Sequence, residues 1–265
     1  MLSIVWVQVL TTWPVLDIQP SGEVVEIRPG SRMVQCSSCH LRTDCLPAGL
    51  SREELKHVEN RLVSGQRKVD RGEALFRAGD RFHAVFAVWF GFFKTFISST
   101  QGCEQVTGFQ MAGEVIGLDG IDTGRHKVDA VALEDSQVCV VPFTELEALV
   151  RTVPSLQRQF LRIMSHEIAF GYKVMLQLGS MYAEERVAAF LLDLTHRLQA
   201  RGYSASTVLL RMSREEIGSF LGLTLETVSR TLSKFQTNGL LFVQQRQIQI
   251  TDPVGLQHLL DGAAT

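Results

Sequence analysis

Residues 212–241 read MSREEIGSFLGLTLETVSRTLSKFQTNGLL, and this stretch decides the architecture. Ser213 and Glu216 form an S-x-x-E capping box, in which the serine hydroxyl takes an unpaired first-turn amide and the glutamate reaches back to the cap. Ile217, Phe220 and Leu221 give the helix that follows an apolar face, and Gly222 supplies the left-handed residue that ends it. Thr224 caps a second helix in which Val228, Leu232 and Phe235 fall on one side. Glu226, Thr227, Ser229, Arg230 and Ser233 are left on or beside the other. Two helices across a short glycine turn make a helix-turn-helix, whose second helix enters the DNA major groove. Helical hairpins also occur as plain core elements, but here both caps, the glycine turn and a polar outer face coincide. That face has groove-reading chemistry: Arg bonds two acceptors on guanine, Glu accepts from cytosine, Ser bonds either kind of edge, and Thr methyls touch thymine.

Downstream, Leu241 to Val243 and Gln247 to Ile250 alternate like a small hairpin, the wing often appended to such a unit. Upstream, Ala183 to Gln199 reads as an amphipathic helix. Before it a long helix is expected after Pro154, a residue suited to a first helical turn. Leu161, Met164, Ile168, Gly171, Met175 and Leu178 repeat at spacings of three and four, the seam of a two-stranded coiled coil. The other reading is a helix packed wholly within one chain. A second row, Leu156, Phe160 and Ile163, is placed to face a neighbouring domain. Gly171 lowers helix stability by about 1 kcal/mol relative to Ala, so the seam is marginal, and a signal worth a few kcal/mol decides whether it closes.

From Lys68 to Val141 short apolar or alternating runs are punctuated by glycine. They are Ala84 to Phe90, Phe92 to Ile97, Glu104 to Phe109, Val128 to Leu133 and Gln137 to Val141. Turns are expected at Gly79-Asp80, Gly91, Gln101-Gly102, Gly113 and Gly120. Strands at this spacing predict an all-β sandwich or barrel closed by Pro142.

A length of 265 residues allows two domains. With 45% hydrophobic and 20% charged residues the composition is that of a soluble globular protein. The net charge of -2 gives no overall basic field, so DNA contact must come from a local surface. Leu2 to Leu10 is apolar but too short to span a bilayer, and it lacks the basic start of a secretion signal. Residues 1–30 are therefore expected to be a poorly structured extension, with Met33 a candidate native start. The five cysteines are an odd number, which points to thiols kept reduced in the cytoplasm rather than to a disulfide framework.

Cys36, Cys39 and Cys45 read C-x2-C-x5-C in a loop-like segment ending at Pro47. Three thiolates this close can clasp a metal centre, with Cys103 and Cys139 as candidates for a fourth. A [4Fe-4S] cluster takes four thiolates, whereas zinc accepts three with His40. Spacing alone does not choose, and unligated thiols are a third reading. No G-x-x-x-x-G-K-[ST] loop, nucleotide fingerprint, G-x-S-x-G elbow, H-E-x-x-H pair or C-x3-C-x2-C triad appears, and the seven histidines lack metal-ligand spacing. Neither an enzyme, a small-molecule substrate nor a membrane partner is indicated.

The chain resembles the fumarate and nitrate reductase regulator (FNR) family of the cyclic-AMP receptor protein superfamily. The resemblance rests on the cysteine segment, Leu75 to Asp80 (LFRAGD), Glu104 to Phe109 (EQVTGF), Ala183 to Phe190 (AEERVAAF) and Leu221 to Arg230 (LGLTLETVSR). It implies an α+β fold: a cysteine segment with a short helix over 31–60, a β-roll of the cupin-like jelly-roll kind over 61–150, a dimerisation helix over 151–180 and a winged helix-turn-helix over 183–265. It also implies that Cys139, two residues before a Pro-Phe pair, is the fourth ligand of a [4Fe-4S] cluster beside Cys36, Cys39 and Cys45. The family's E-x-x-S-R pattern falls on Glu226, Ser229 and Arg230, with Thr224, Thr227 and Ser213 as further DNA contacts. The implied target is an inverted repeat like TTGAT-N4-ATCAA, bound by a homodimer that works with RNA polymerase to activate or repress anaerobic-metabolism genes. In the family, oxygen converts the cluster to [2Fe-2S] and releases the dimer. The best-studied family member carries acidic residues about where Gly171 and Lys173 lie here, so this chain's dimer is expected to part less readily. Zinc-stabilised or cyclic-nucleotide-responsive regulators of the same superfamily are the alternatives. The latter resemble one another in a G-E-[LI] segment followed by an Arg-Ser or Arg-Thr pair; here Gly113-Glu114-Val115 is present but the pair is absent, and Arg125 reads as a solvated loop charge.

Overall fold

The computed structural model describes residues 16–18, 24–26, 35–99 and 102–261. The chain divides into two compact units, Met1–Met33 and Val34–Thr265. In the first, β1 (Leu16–Ile18) pairs antiparallel with β2 (Val24–Glu26). The rest of the expected extension, and Met33, lie outside the described residues.

The second unit begins with a single 3-10 turn, Cys36–Ser38, followed by α1 (Arg52–Leu62). Ser51 caps α1, and Glu54 returns the bond to the Ser51 amide, a second capping box. The strands that follow are β3 (Gly65–Val69), β4 (Ala74–Phe76), β5 (Ala84–Phe90), β6 (Phe92–Ser98), β7 (Glu104–Met111), β8 (Val115–Ile116), β9 (Asp129–Ala132) and β10 (Ser136–Pro142). They form two antiparallel sheets, ordered β3-β10-β5-β8 and β4-β9-β6-β7. Alternation puts successive side chains on opposite faces. In β10, Val138 therefore joins Phe86, Phe93, Ala130 and Ile116 in the core between the sheets. Cys139 and Val141 point the other way.

That other face of the first sheet is covered by α1, by α2 (Phe143–Thr152) and by the start of α3 (Pro154–Ser180). Leu46, Leu55, Val58 and Leu62 pack there with Val85, Ala87, Leu146, Leu149 and Leu156. Phe160 and Ile163 join them, so the second row of the long helix faces the β-roll as expected. Pro154 occupies the first turn of α3.

The outer face of the second sheet carries the C-terminal elements. Phe92, Phe96, Val106 and Met111 share a core with Val187, Leu191 and Leu194 of α4 (Ala183–Ala200). The same core holds Ile217 and Phe220 of α5 (Arg214–Leu221) and Val228, Leu232 and Phe235 of α6 (Leu225–Thr237). The expected wing exists as β12 (Leu241–Gln244) and β13 (Gln247–Ile250), but β13 also pairs with β11 (Thr207–Leu209), giving the order β11-β13-β12. The final helix, α7 (Pro253–Asp261), packs on α4. No described helix is long and apolar enough to cross a membrane.

Candidate thiol centre and nucleic-acid interface

The cysteine segment is held by its apolar residues rather than by a regular helix. Leu41 and Leu46 are buried, and short-range backbone bonds fold the loop around them: Arg42 N–H to Cys39 O, Asp44 N–H to Leu41 O, and Ala48 N–H to Cys45 O. Cys139 arrives from β10. All four thiols line one pocket with Leu62, Val63, Ala87, Trp89 and Val141, with about 430 Å³ of free space, open solvent included. Cys103 lies outside it and is exposed.

Burial pushes the Cys36 thiol up to about 11, with Cys139, Cys39 and Glu59 adding to the rise. Burial likewise carries Cys45 up to about 12, opposed by a backbone hydrogen bond from Leu46 and helped by Cys139, Cys36 and Cys39. Cys139 is raised by burial and by Cys39, while a hydrogen bond from Gln66 lowers it. The thiols thus sense one another in an apolar setting where several thiolates are stable only beside compensating positive charge. Among the described residues no three His, Cys, Asp or Glu side chains are grouped to hold a metal ion. A one-ion site needs sulfurs within roughly 4 Å of each other, because metal–sulfur bonds are about 2.3 Å. Four soft sulfurs lining one apolar pocket have the donor chemistry of a multi-iron centre, whose ligands bind separate irons and need not crowd around one ion.

The helix-turn-helix forms as its sequence dictates. Ser213 accepts from Glu216 N–H, Gly222 ends α5 with φ of 63°, and Thr224 accepts from Thr227 N–H. Gly218, which sequence reading passed over, is required by close approach: a Cβ there would lie 2.6 Å from the Leu223 carbonyl oxygen. The available signal was a glycine inside an otherwise good helix. On α6, Glu226, Arg230 and Ser233 are exposed, Thr227 and Ser229 half-buried, and Arg214 donates to Ser229 Oγ at 3.2 Å. Hydrogen bonds from its own amide and from Thr224 hold Glu226 below the usual carboxylate range, with Arg230 adding to the effect. The Ser213 hydroxyl is committed to its cap, which leaves it less free for DNA than its place in the motif suggests.

The long helix leaves Leu161, Ile168 and Met175 exposed, at 58%, 54% and 68%. Gly171 is also exposed, and a Cβ there would meet nothing within 4 Å. Met164 and Leu178 are half-buried, and Leu178 lies beside Gly222 of the same chain. Lys173 pairs with Asp193 of α4 at 2.6 Å.

Near the Gly113-Glu114-Val115 segment, the Glu114 carboxylate is engaged by Arg197 and Arg201 of α4. The neighbouring interior is filled by rings: His126 stacks on Phe76 at 3.6 Å and meets Phe82 edge-on. Arg125 is not simply solvated, since it donates to Gly79 O at 2.6 Å.

A Crp-like helix-turn-helix domain matches residues 185–259, and a cyclic nucleotide-binding domain matches residues 66–153. The chain is 45% identical over 225 residues to the transcriptional regulatory protein btr of Bordetella pertussis, covering 85% of this chain and 93% of that one. It is 38% identical over 233 residues to the fumarate and nitrate reduction regulatory protein of Escherichia coli, covering 88% and 93%. Among solved structures, FixK2 from Bradyrhizobium japonicum superposes with a TM-score of 0.68 at 32% identity, over 75% of this chain and 98% of that one.

Proposed function

The chain belongs to the fumarate and nitrate reductase regulator family of the Crp/FNR superfamily, and from that membership we propose that it is an oxygen-responsive transcription regulator whose DNA-binding form depends on a [4Fe-4S] cluster held by Cys36, Cys39, Cys45 and Cys139. The observation that carries this reading is the convergence of four buried or half-buried thiols, three from one loop and one from β10, on a single apolar pocket. When bound, the cluster supplies positive charge to those thiolates and a covalent tie between the loop and the sheet.

The chain's own residues link that tie to α3. Leu46 of the loop shares a core with Leu156 and Phe160. Gln159 Nε2 donates to the Cys45 carbonyl at 3.4 Å, and Ser155 Oγ donates to Glu54 at 2.6 Å. Thiols joined to Cys139 hold the first turns of α3 in place; thiols free to part from it release them. The row of exposed Leu161, Ile168, Gly171 and Met175 with half-buried Met164 and Leu178 is the surface on which a second copy pairs. Pairing sets two α6 helices one DNA turn apart. Glu226, Ser229 and Arg230, with Thr224 and Thr227 at the helix start, read an inverted repeat like TTGAT-N4-ATCAA. RNA polymerase is the partner through which activation or repression follows, and the cytoplasm is the compartment in which the thiols stay reduced.

A cyclic-nucleotide signal loses its main support in Glu114, whose carboxylate is spent on two arginines of α4. The test is anaerobic purification with iron and sulfide analysis. Four irons and four sulfides per chain, a brown colour and an increase in mass on cluster loading are expected; colourless, iron-free protein overturns the reading.

A further inference from the structure

Gln66 of β3 sits directly opposite Cys139 of β10 in the antiparallel register, so their side chains share a face. Its Nε2 donates to Cys139 Sγ at 3.7 Å. The amide's other end is also fixed: Gln137 Nε2 donates to Gln66 Oε1 at 2.8 Å. Gln137 lies two residues before Cys139 on the same strand and face, which places the three side chains in one short row. A thiolate can only accept, so it orients Gln66 with its NH2 toward the sulfur, and the carbonyl oxygen then turns to the Gln137 NH2. Both amides are half-buried, where such bonds are less weakened by water. The other three thiols have no side-chain amide donor among the described contacts.

We infer that Gln66 is a positioning residue for the cluster, donating an N–H to the Cys139 thiolate under the control of Gln137 and thereby raising the cluster's reduction potential. This rests on the cluster reading above. The physical cause is charge: adding one electron to the centre makes its sulfurs more negative, and a hydrogen bond to a ligating sulfur stabilises that more negative state. The same bond opposes loss of one electron from the centre to dioxygen, which gives superoxide with no proton moved, because that step makes the sulfurs less negative and the bond weaker. Gln66 therefore prolongs the life of the cluster in air.

The test uses full-length protein purified without oxygen, with iron and sulfide assays first and then the midpoint potential by mediated spectroelectrochemistry. Gln66→Leu removes the donor and lowers the potential. Gln66→Glu keeps the shape but sets a carboxylate against the sulfur, and lowers it further. Gln137→Leu leaves the donor but frees it to rotate, and gives the smallest shift of the same sign. The rate of bleaching in air rises in the same order. If any variant fails to fold, the remaining ones still decide, because all lower the potential and each has its own rank. Full iron content with unchanged potentials overturns the role of Gln66 and leaves the cluster standing; iron-free wild-type protein overturns both.

Discussion

Glu114, in the turn after β7, lies 2.6 Å from Arg197 of α4, and Arg201 reaches the other carboxylate oxygen at 2.8 Å. The β-roll and the DNA-binding elements are thus joined by a doubly paired carboxylate whose side chain is 24% exposed. Lys94 and Glu216 form a second crossing pair at 2.8 Å. Ser219 of α5 completes the contact by accepting from Val106 N–H and donating to Glu104 O.

Replacing Glu114 by Gln keeps the shape and removes the charge, taking from Arg201 its carboxylate partner and leaving Arg197 with only the longer pair to Asp193 at 3.6 Å. Stability should fall by about 1.5 to 3 kcal/mol, the range for hydrogen bonds to charged groups. Chemical denaturation read on the wild-type and Glu114→Gln chains checks this; coincident unfolding curves would show that the docking is incidental.

Serine in place of Cys36, Cys39, Cys45 or Cys139 should abolish iron binding and brown colour, while Cys103→Ser keeps both. The reason is placement, since the first four line one pocket and Cys103 does not. Iron per chain after anaerobic preparation is the measurement, and equal loss from Cys103→Ser would reassign the ligand set.

Ile168→Glu tests the seam. Ile168 is 54% exposed in the single chain, so its loss should change monomer stability by no more than about 0.5 kcal/mol, as for an ordinary surface site. Pairing should fail, because two carboxylates would face each other across the helices. Sedimentation of cluster-loaded protein should show the monomer mass; an unaltered dimer would place the interface elsewhere.

Arg230→Ala should weaken binding to the inverted repeat by about 1 to 3 kcal/mol, the worth of a bidentate base contact. Titrations at one fixed salt concentration, against the repeat and a scrambled duplex, separate lost recognition from lost charge. Equal weakening on both duplexes would make Arg230 a phosphate contact.

The helix-turn-helix was legible because its signals are local: a cap and its Glu three residues on, a glycine at the turn, and a buried stripe of period near four. Strands β5, β6, β7, β9 and β10 were legible for a similar reason, each carrying four or more residues of pattern. By contrast β4 has three residues and β8 two, too few for alternation to register. The ten residues of α2 follow β10 directly, with Pro142 serving as both strand end and helix cap, so neither a linker nor a polar cap announced them. Residue spacing left Cys103 and Cys139 equal as fourth ligands, because each stands alone, far along the chain from the C-x2-C-x5-C segment. Pairing across β3 and β10 brings Gln66 to Cys139, and packing of the loop against that sheet brings the other thiols there. The Glu114–Arg197 contact spans 83 residues of sequence, and nothing local in either residue marks the other.

Among the described helices, α3 is the one whose residues enter both outer cores, through Leu156 near the thiols and Phe170 and Val174 near the recognition unit. It behaves like a keyed shaft between two gears, and its phase is part of the design. One residue added at its middle would turn the far end by about 100°, the angle per residue of an α-helix. Seven added residues would nearly restore the phase while lengthening the shaft by roughly 10 Å. Natural variation in this helix should therefore come in whole heptads or not at all.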